Sequence, residues 1–235
     1  MTGPAPRTAV LISSGGMDSA VTAYDLADQG TALILLSFDY GQRHVKELTY
    51  ATKTADRLGA AHRTVDLRSV GALLTGSALT DASVAVPDGH YSDATMASTV
   101  VPNRNAIMLN IAAAVAISEK ADAIAFGAHA GDHSVYPDCR PLFFDKVTQS
   151  IKAGNEGLLV TDFRVLAPFL HMTKADIARR GAELKVPFQE TWSCYKGGEL
   201  HCGVCGTCVE RREAFTLAGV PDPTAYETVS EEAGR

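Results

Sequence analysis

The sequence contains no apolar run long enough to span a bilayer, and its first ten residues, MTGPAPRTAV, hold no apolar core of signal-peptide length. A membrane protein or an exported one is therefore not expected, and a cytoplasmic chain is. Positive charge is also in short supply. Lys and Arg number 21 against 27 Asp and Glu, a formal charge of -6 at pH 7. That balance excludes a broad basic face for nucleic acid or anionic lipid and leaves room only for local basic pockets. There is no internal repeat and no long low-complexity tract. Cysteine occurs five times in 235 residues, and four of the five crowd between positions 194 and 208. Such uneven spacing, in a chain with no secretion signal, excludes a disulfide framework.

What is present is a soluble globular composition, 46% hydrophobic and 20% charged, in a chain long enough for one large domain with a small appendage. Arg7 to Ser14 reads as a buried strand, Met17 to Gln29 as a helix ending at Gly30, and Thr31 to Asp39 as a second buried strand. Val45 to Leu58 has helical spacing with Gly59 as terminator, and Ala61 to Asp66 reads as a third strand. This alternation predicts an α/β fold with a doubly wound, mostly parallel, Rossmann-like sheet. Residues 68–101 are rich in small and polar residues and lack any sustained period, as an inserted lid or partner-facing loop would be. Regular order resumes with a helix at Asn105 to Glu119 and a strand at Ala123 to Gly127. Helices at Arg140 to Ala153, Lys174 to Leu184 and Val209 to Ala218 follow. The expected organisation is a main domain over residues 1–190 and a cysteine-bearing lobe over 191–235, packed on the same domain.

Between the first strand and the first helix lies Ser13-Ser14-Gly15-Gly16-Met17-Asp18-Ser19. A strand feeding a helix through two glycines presents several backbone N–H groups at a helix N-terminus, a natural seat for phosphate. The loop is not the dinucleotide fingerprint and lacks the lysine of a Walker A loop. Asp18 would repel phosphate unless it binds Mg²⁺ or caps the helix, and an ordinary glycine turn with a helix cap competes with the phosphate reading.

Cys194, Cys202, Cys205 and Cys208 have the spacing C-x7-C-x2-C-x2-C. The short intervals let thiolates converge on one tetrahedral ion, so one structural zinc with four cysteine ligands is expected. An iron–sulfur cluster also accepts four cysteines, but nothing in the spacing calls for redox chemistry, and His201 is not needed as a ligand. His129, Asp132 and His133, after the strand ending at Gly127, offer metal-binding residue types but no helical H-x3-H geometry. Cys139 reads as a small buried residue, since no neighbour in sequence marks it as an activated thiolate. Arg104 heads a strong helix beside Asn103 and Asn105, and Asp39 follows a strand end where open sheets bind ligands.

Five segments occur in a telling order. They are Ser14-Gly15-Gly16-x-Asp18-Ser19, Phe38-Asp39-Tyr40-Gly41-Gln42-Arg43-His44, Val101-Pro102-Asn103-Arg104-Asn105, Tyr136-Pro137-Asp138-Cys139-Arg140, and the terminal cysteine signature. The first resembles the pyrophosphate loop of the ATP pyrophosphatases, and the whole set resembles the 7-cyano-7-deazaguanine synthase family of queuosine precursor synthesis. The likeness runs from about Val10 to Phe215. It implies an adenine-nucleotide α-hydrolase-like fold carrying a zinc lobe. The implied reaction adenylates 7-carboxy-7-deazaguanine with ATP and Mg²⁺, forms the amide with ammonia, adenylates again and expels AMP to leave the nitrile. It further implies that Ser13 to Ser19, with Asp39, Gln42 and Arg104, contact ATP, and that Lys174, in Thr173-Lys174-Ala175-Asp176, approaches the phosphates. Asp18, Ser19 and Lys174 are then the catalytic candidates. Asp132, Tyr136, Asp138 and Arg140 are the candidates for the deazaguanine, whose amino and ring N–H edge suits a carboxylate and whose carboxyl group suits an arginine. A homodimer is expected, formed through the 68–101 insertion, with no nucleic-acid partner. Rival readings are a relative that transfers the activated deazapurine to a protein amine, a synthetase for another acid, and a zinc-stabilised nucleotide-binding module without catalysis.

Overall fold

The continuous apolar runs at residues 8–12 and 32–39 are buried on both faces, as in the centre of a parallel sheet covered by helices. The computed structural model describes residues 4–90 and 94–227. Part of the predicted insertion (91–93) and the end of the predicted C-terminal tail (228–235) lie outside the described residues. The strands are β1 (Thr8–Ile12), β2 (Ala32–Asp39), β3 (Ala61–Asp66), β4 (Ala123–Ala125) and β5 (Arg164–Leu166). They form one parallel sheet in the order β3-β2-β1-β4-β5. The helices are α1 (Met17–Asp28), α2 (Glu47–Leu58), the single turn α3 (Arg68–Gly71), α4 (Arg104–Glu119), α5 (Pro141–Gly154), α6 (Lys174–Glu183) and α7 (Gly206–Ala218).

Alternation along β1 decides which helices cover which face. Val10 and Ile12 point to the face covered by Leu109, Ala112 and Ala116 of α4 and by Phe144, Val147 and Ile151 of α5. Ala9 and Leu11 point the other way, against Ala23 and Leu26 of α1 and Ala55 of α2. The chain leaves β1 toward β2 and β3 on one side, then returns to place β4 on the other. The gap outside the carboxyl ends of β1 and β4 is thus the topological switch point, where a doubly wound sheet accepts its ligand.

The 68–101 stretch is bound into this body rather than draped over it. Leu79 and Met96 are fully buried in the same cluster as Val10 and Leu36. The Arg43 guanidinium donates to the carbonyls of Asp81 and Val84, at 2.7 Å each. Gly89 N–H donates to Val204 O, so the stretch also touches the cysteine-bearing segment. That segment in turn shares a core with two helices of the main body, because Ala214 and Phe215 of α7 pack with Met17 and Val21 of α1 and with Ile177 and Ala178 of α6.

The α1–α6 contact leaves room for no added atom at Gly181. A Cβ there would overlap Phe188 Cζ and stand 2.7 Å from Val21 Cγ2. The Phe188 ring cannot retreat freely, since it meets Phe215 edge-on at 4.8 Å. Gly181→Ala is expected to destabilise the fold by about 1–3 kcal/mol through overpacking. A urea melt against the parent protein checks this, and an unchanged midpoint would show that the layer has slack.

Candidate active site

The loop Ser13 to Gly16 is fixed from three directions. Ser13 N–H donates to Leu36 O at 2.9 Å, and Ser37 Oγ–H donates back to Ser13 O at 2.6 Å. Gly15, at φ +79°, lies so close to the first turn of α2 that a Cβ would overlap the Glu47 carbonyl oxygen. Trp192 N–H donates to Gly15 O at 2.9 Å. Gly16 is the N-cap of α1 and makes no side-chain capping bond, which leaves the first-turn amides facing outward. The hydroxyls flank them, with Ser19 Oγ donating to Gly16 O at 3.0 Å and lying 3.3 Å from Ser14 Oγ. Gly127, just past β4, lets the chain pass this turn closely, because a Cβ there would sit 3.1 Å from Ser19 N.

Asp18, in that first turn, meets a charge array assembled from three elements. Its Oδ2 is 3.1 Å from Lys174 Nζ, and Lys174, at the start of α6, also donates to Glu210 Oε2 of α7 at 2.7 Å. Burial favours the protonated Asp18, but Lys174, with His129 and Arg211 beyond it, more than offsets this and holds the carboxyl below the usual aspartate range. Burial opposes the charge on Lys174, yet Asp18 and Glu210 keep its ammonium protonated well above the ordinary lysine value. A cation in the first turn of a helix opposes the helix dipole, and these two carboxylates provide the compensation. Asp18 Oδ1 remains buried without a hydrogen-bond partner. An orphaned carboxylate oxygen beside an uncapped helix start fits a divalent cation arriving with a polyphosphate.

A cleft with two lobes opens above the loop. One lobe, of about 180 Å³, is floored by Ile12, Phe38, Met108 and Phe126, apolar residues suited to the face of a base. The other, of about 150 Å³, is walled by polar groups including Asp132, Tyr136, Lys174 and Thr207. Ser14, Asp18, Glu47, Arg104 and Tyr195 line both lobes. Arg104 Nη1 donates to Tyr40 OH at 3.2 Å. Among the described residues no carboxylate lies within 4 Å of Arg104, so its charge faces the cleft unneutralised.

The thiols of Cys194, Cys202, Cys205 and Cys208 lie within 4.8 Å of one another, all buried. None is joined in a disulfide. The backbone N–H groups of Cys202 and Cys205 point at Cys194 Sγ (3.5 Å) and Cys202 Sγ (3.3 Å). Cys205 caps α7, so the last two thiols sit at the head of a helix. The cluster adjoins the loop through Trp192, whose Nε1–H donates to Cys194 O at 2.8 Å while its backbone N–H holds Gly15.

Of the residues named from the sequence, the cleft brings together Ser13, Ser14, Gly16, Met17, Asp18, Ser19, Arg104, Asp132, Tyr136 and Lys174. Gly15 lies behind them as a backbone support. Gln42 is turned inward, with Oε1 accepting from Tyr40 N–H and Nε2 donating to Phe38 O and to Glu47. Asp39 accepts from Gly41 N–H and faces Arg68 at 3.8 Å. Asp138 faces Asn105 N–H, and exposed Arg140 donates to His133 O. None of these four lines the cleft. Cys139 does, but burial pushes its thiol far up, leaving it no thiolate character near neutral pH. His129 is buried, its Nδ1 accepting from Gly131 N–H and its Nε2 3.6 Å from Asp132 and 3.9 Å from Glu210.

Sequence reasoning missed Glu47, Glu210, Tyr195 and Arg211. Glu210 and Arg211 follow a thiol of the cluster by two and three positions, and no spacing rule separates them from helix surface. Arg211 is fully buried and donates to Thr191, Ser193, Thr224 and Phe188 O, tying α7 to the segments on either side.

A family model described as "Queuosine biosynthesis protein QueC" matches residues 8–219. Relatives named 7-cyano-7-deazaguanine synthase from Brucella ovis and Brucella canis are each 57% identical over 218 residues, spanning 93% of this chain and 93% of theirs. Among solved structures, the U34-tRNA thiolase NcsA from Methanococcus maripaludis, with its 4Fe–4S cluster, aligns at a TM-score of 0.47 and 15% identity. That alignment covers 96% of this chain and 76% of the other. With a family model spanning most of its length and relatives alike in more than half their residues, the chain belongs to the QueC family of queuosine biosynthesis, the family of the 7-cyano-7-deazaguanine synthases.

Proposed function

We propose that this chain converts 7-carboxy-7-deazaguanine and ammonia into 7-cyano-7-deazaguanine at the expense of ATP. The substrate assignment draws on the relatives of that name. The observation that carries the chemistry is the uncapped start of α1, with its orphaned Asp18 oxygen, opening into a cleft between β1 and β4. A carboxylate oxygen attacks the α-phosphorus of ATP and pyrophosphate departs. Ammonia then forms the C–N bond as AMP leaves, giving the amide. The amide oxygen attacks a second ATP, and loss of AMP gives the nitrile. Carboxylate and amide oxygens leave poorly until esterified to phosphate, so the protein's work is positioning and charge neutralisation.

The first-turn amides and the hydroxyls of Ser14 and Ser19 hold the phosphates. Arg104 supplies positive charge from the opposite wall, and Lys174 stands ready beside Asp18 to meet the same phosphates. Magnesium bound with ATP would neutralise phosphate charge, and Asp18 is the residue placed to hold it. The deazaguanine takes the polar lobe, beside Asp132 and Tyr136.

The four thiols suit one zinc ion. With Zn–S bonds of about 2.3 Å, tetrahedral corners stand about 3.8 Å apart, close to the 4.0 Å of Cys202–Cys208 and Cys194–Cys205. A cubane cluster interposes irons and sulfides and would need its thiolates spread wider. With every corner a buried cysteine, the ion would be structural.

Incubation with ATP, Mg²⁺, ammonium and the carboxylate is expected to yield nitrile, AMP and pyrophosphate. Amide as sole end product would sink the second activation, and absence of ATP turnover would favour a binding module. Asp18→Asn is expected to lower turnover at least about 100-fold while the protein stays folded at the assay temperature with unchanged metal content, its melting temperature falling because Lys174 loses one of its two carboxylates. A near-normal rate would remove Asp18 from the metal. Elemental analysis is expected to find one zinc and no iron per chain, and verified zinc removal to unfold the α7 region in circular dichroism. Unchanged helicity and turnover after removal would defeat the structural role.

A further inference from the structure

The proposed reaction, on which this inference rests, takes a nitrogen bearing three hydrogens to one bearing none. Each N–H bond must give its proton to something inside the cleft. Three carboxyl side chains line that cleft: Asp18, Glu47 and Asp132. Asp18 is ion-paired with Lys174. Asp132 Oδ2 accepts from the His129 backbone N–H at 3.1 Å, closing a capping box. Glu47 is held differently. Its Oε1 accepts from Gln42 Nε2 at 3.1 Å, its Oε2 lies 3.6 Å from His44 Nε2, and among the described residues no Lys or Arg stands within 4 Å.

Its position is as particular as its partners. Glu47 is the first residue of α2, and its backbone carbonyl is the surface on which Gly15 of the phosphate loop rests. The backbone that seats the loop therefore carries a carboxyl group into the wall shared by both lobes, between the apolar floor and the polar pocket. We propose that Glu47 is the general base of the reaction, receiving in turn each proton that leaves the substrate nitrogen.

Three transfers complete the balance. As ammonia bonds to the acyl carbon, the N–H proton passes to the Glu47 carboxylate and the C–O bond breaks, its electron pair leaving on AMP. As the amide oxygen bonds to the α-phosphorus of the second ATP, an N–H proton passes to Glu47 and pyrophosphate leaves with its bonding pair. Finally the last N–H breaks, its pair completes the C≡N bond, and AMP departs with the C–O pair. Between steps Glu47 returns its proton to solvent through the cleft mouth.

The surroundings match such a cycle. Burial lifts the Glu47 carboxyl to about 8, with Gln42 and Arg104 of α4 restraining the rise, so both protonation states are accessible near neutral pH. The groups facing the same space do not compete in that range. Burial lowers His44 to about 3 and lifts Tyr40 to about 12, and it also carries Tyr195 well above its usual value. Asp18 of α1 is held ionised and Arg104 cationic.

Glu47→Gln tests this, because the amide keeps an acceptor for Gln42 and has no basic oxygen. Exchange of labelled pyrophosphate into ATP, driven by the carboxylate substrate without ammonia, needs no proton transfer from nitrogen and is expected to stay within about threefold of the parent. Nitrile formation is expected to fall about 100-fold or more, and the acid limb of its pH profile to disappear. Nitrile at the parental rate, or equal losses of exchange and nitrile formation, would overturn the assignment. Failure of the parent itself to exchange pyrophosphate would instead overturn the proposed reaction.

Discussion

Everything at the cleft depends on how closely Gly15 is allowed to approach α2. Its Cα lies against the Glu47 carbonyl oxygen while its own carbonyl accepts Trp192 N–H, so a glycine with positive φ is pinned between a helix and a distant segment. This contact turns a flexible sequence into a fixed one. Beyond it Gly16, the N-cap, has no side chain to fold over the start of α1, and the first-turn amides stay open toward the cleft. The same contact aims Glu47 into the space those amides serve.

The charge array follows from a second constraint, that buried ions must be compensated in place. Lys174 sits where the α6 dipole disfavours it, and it is held there by Asp18 from α1 and Glu210 from α7. Three helices that share a core of Met17, Ile177 and Phe215 therefore also share one electrostatic centre at its edge. Arg104 is the exception. It has an aromatic neighbour in Tyr40 and no carboxylate within 4 Å among the described residues, the condition in which a cation is most available to a phosphate or carboxylate ligand.

Much of the fold could be read from the chain because β1 and β2 are continuous apolar runs and α1, α2 and α7 are followed by glycine. β3 begins and ends where the alternation places it, and β1, β2 and α1 differ only in terminal residues. β5 escaped notice because three residues at a sheet edge produce no period. The 68–101 stretch looked peripheral because it has few large apolar residues, yet Leu79, Met96 and Val101 enter the core cluster and the Arg43 hydrogen bonds bind it further. α7 begins at Gly206, ahead of its expected start, because the Cys205 cap and the tight thiol loops already set helical geometry. The site was legible where chemistry dictates residue type, as in the glycine loop and the thiols. It was not legible for Glu47 and Glu210, since a carboxylate at a helix position reads as solvated surface until the packing partner is known. The inward turn of Gln42 belongs to the same class, decided by backbone partners that no local pattern encodes.

The single tryptophan joins two parts of the molecule that sequence places far apart. Through its backbone it holds Gly15, and through its indole it holds Cys194 O, with Lys46 stacked over the ring at 4.2 Å. Any coupling carried by this residue would, by thermodynamic linkage, act in equal measure in both directions. One residue is thus the common support of the glycine loop and of the first thiol of the cluster.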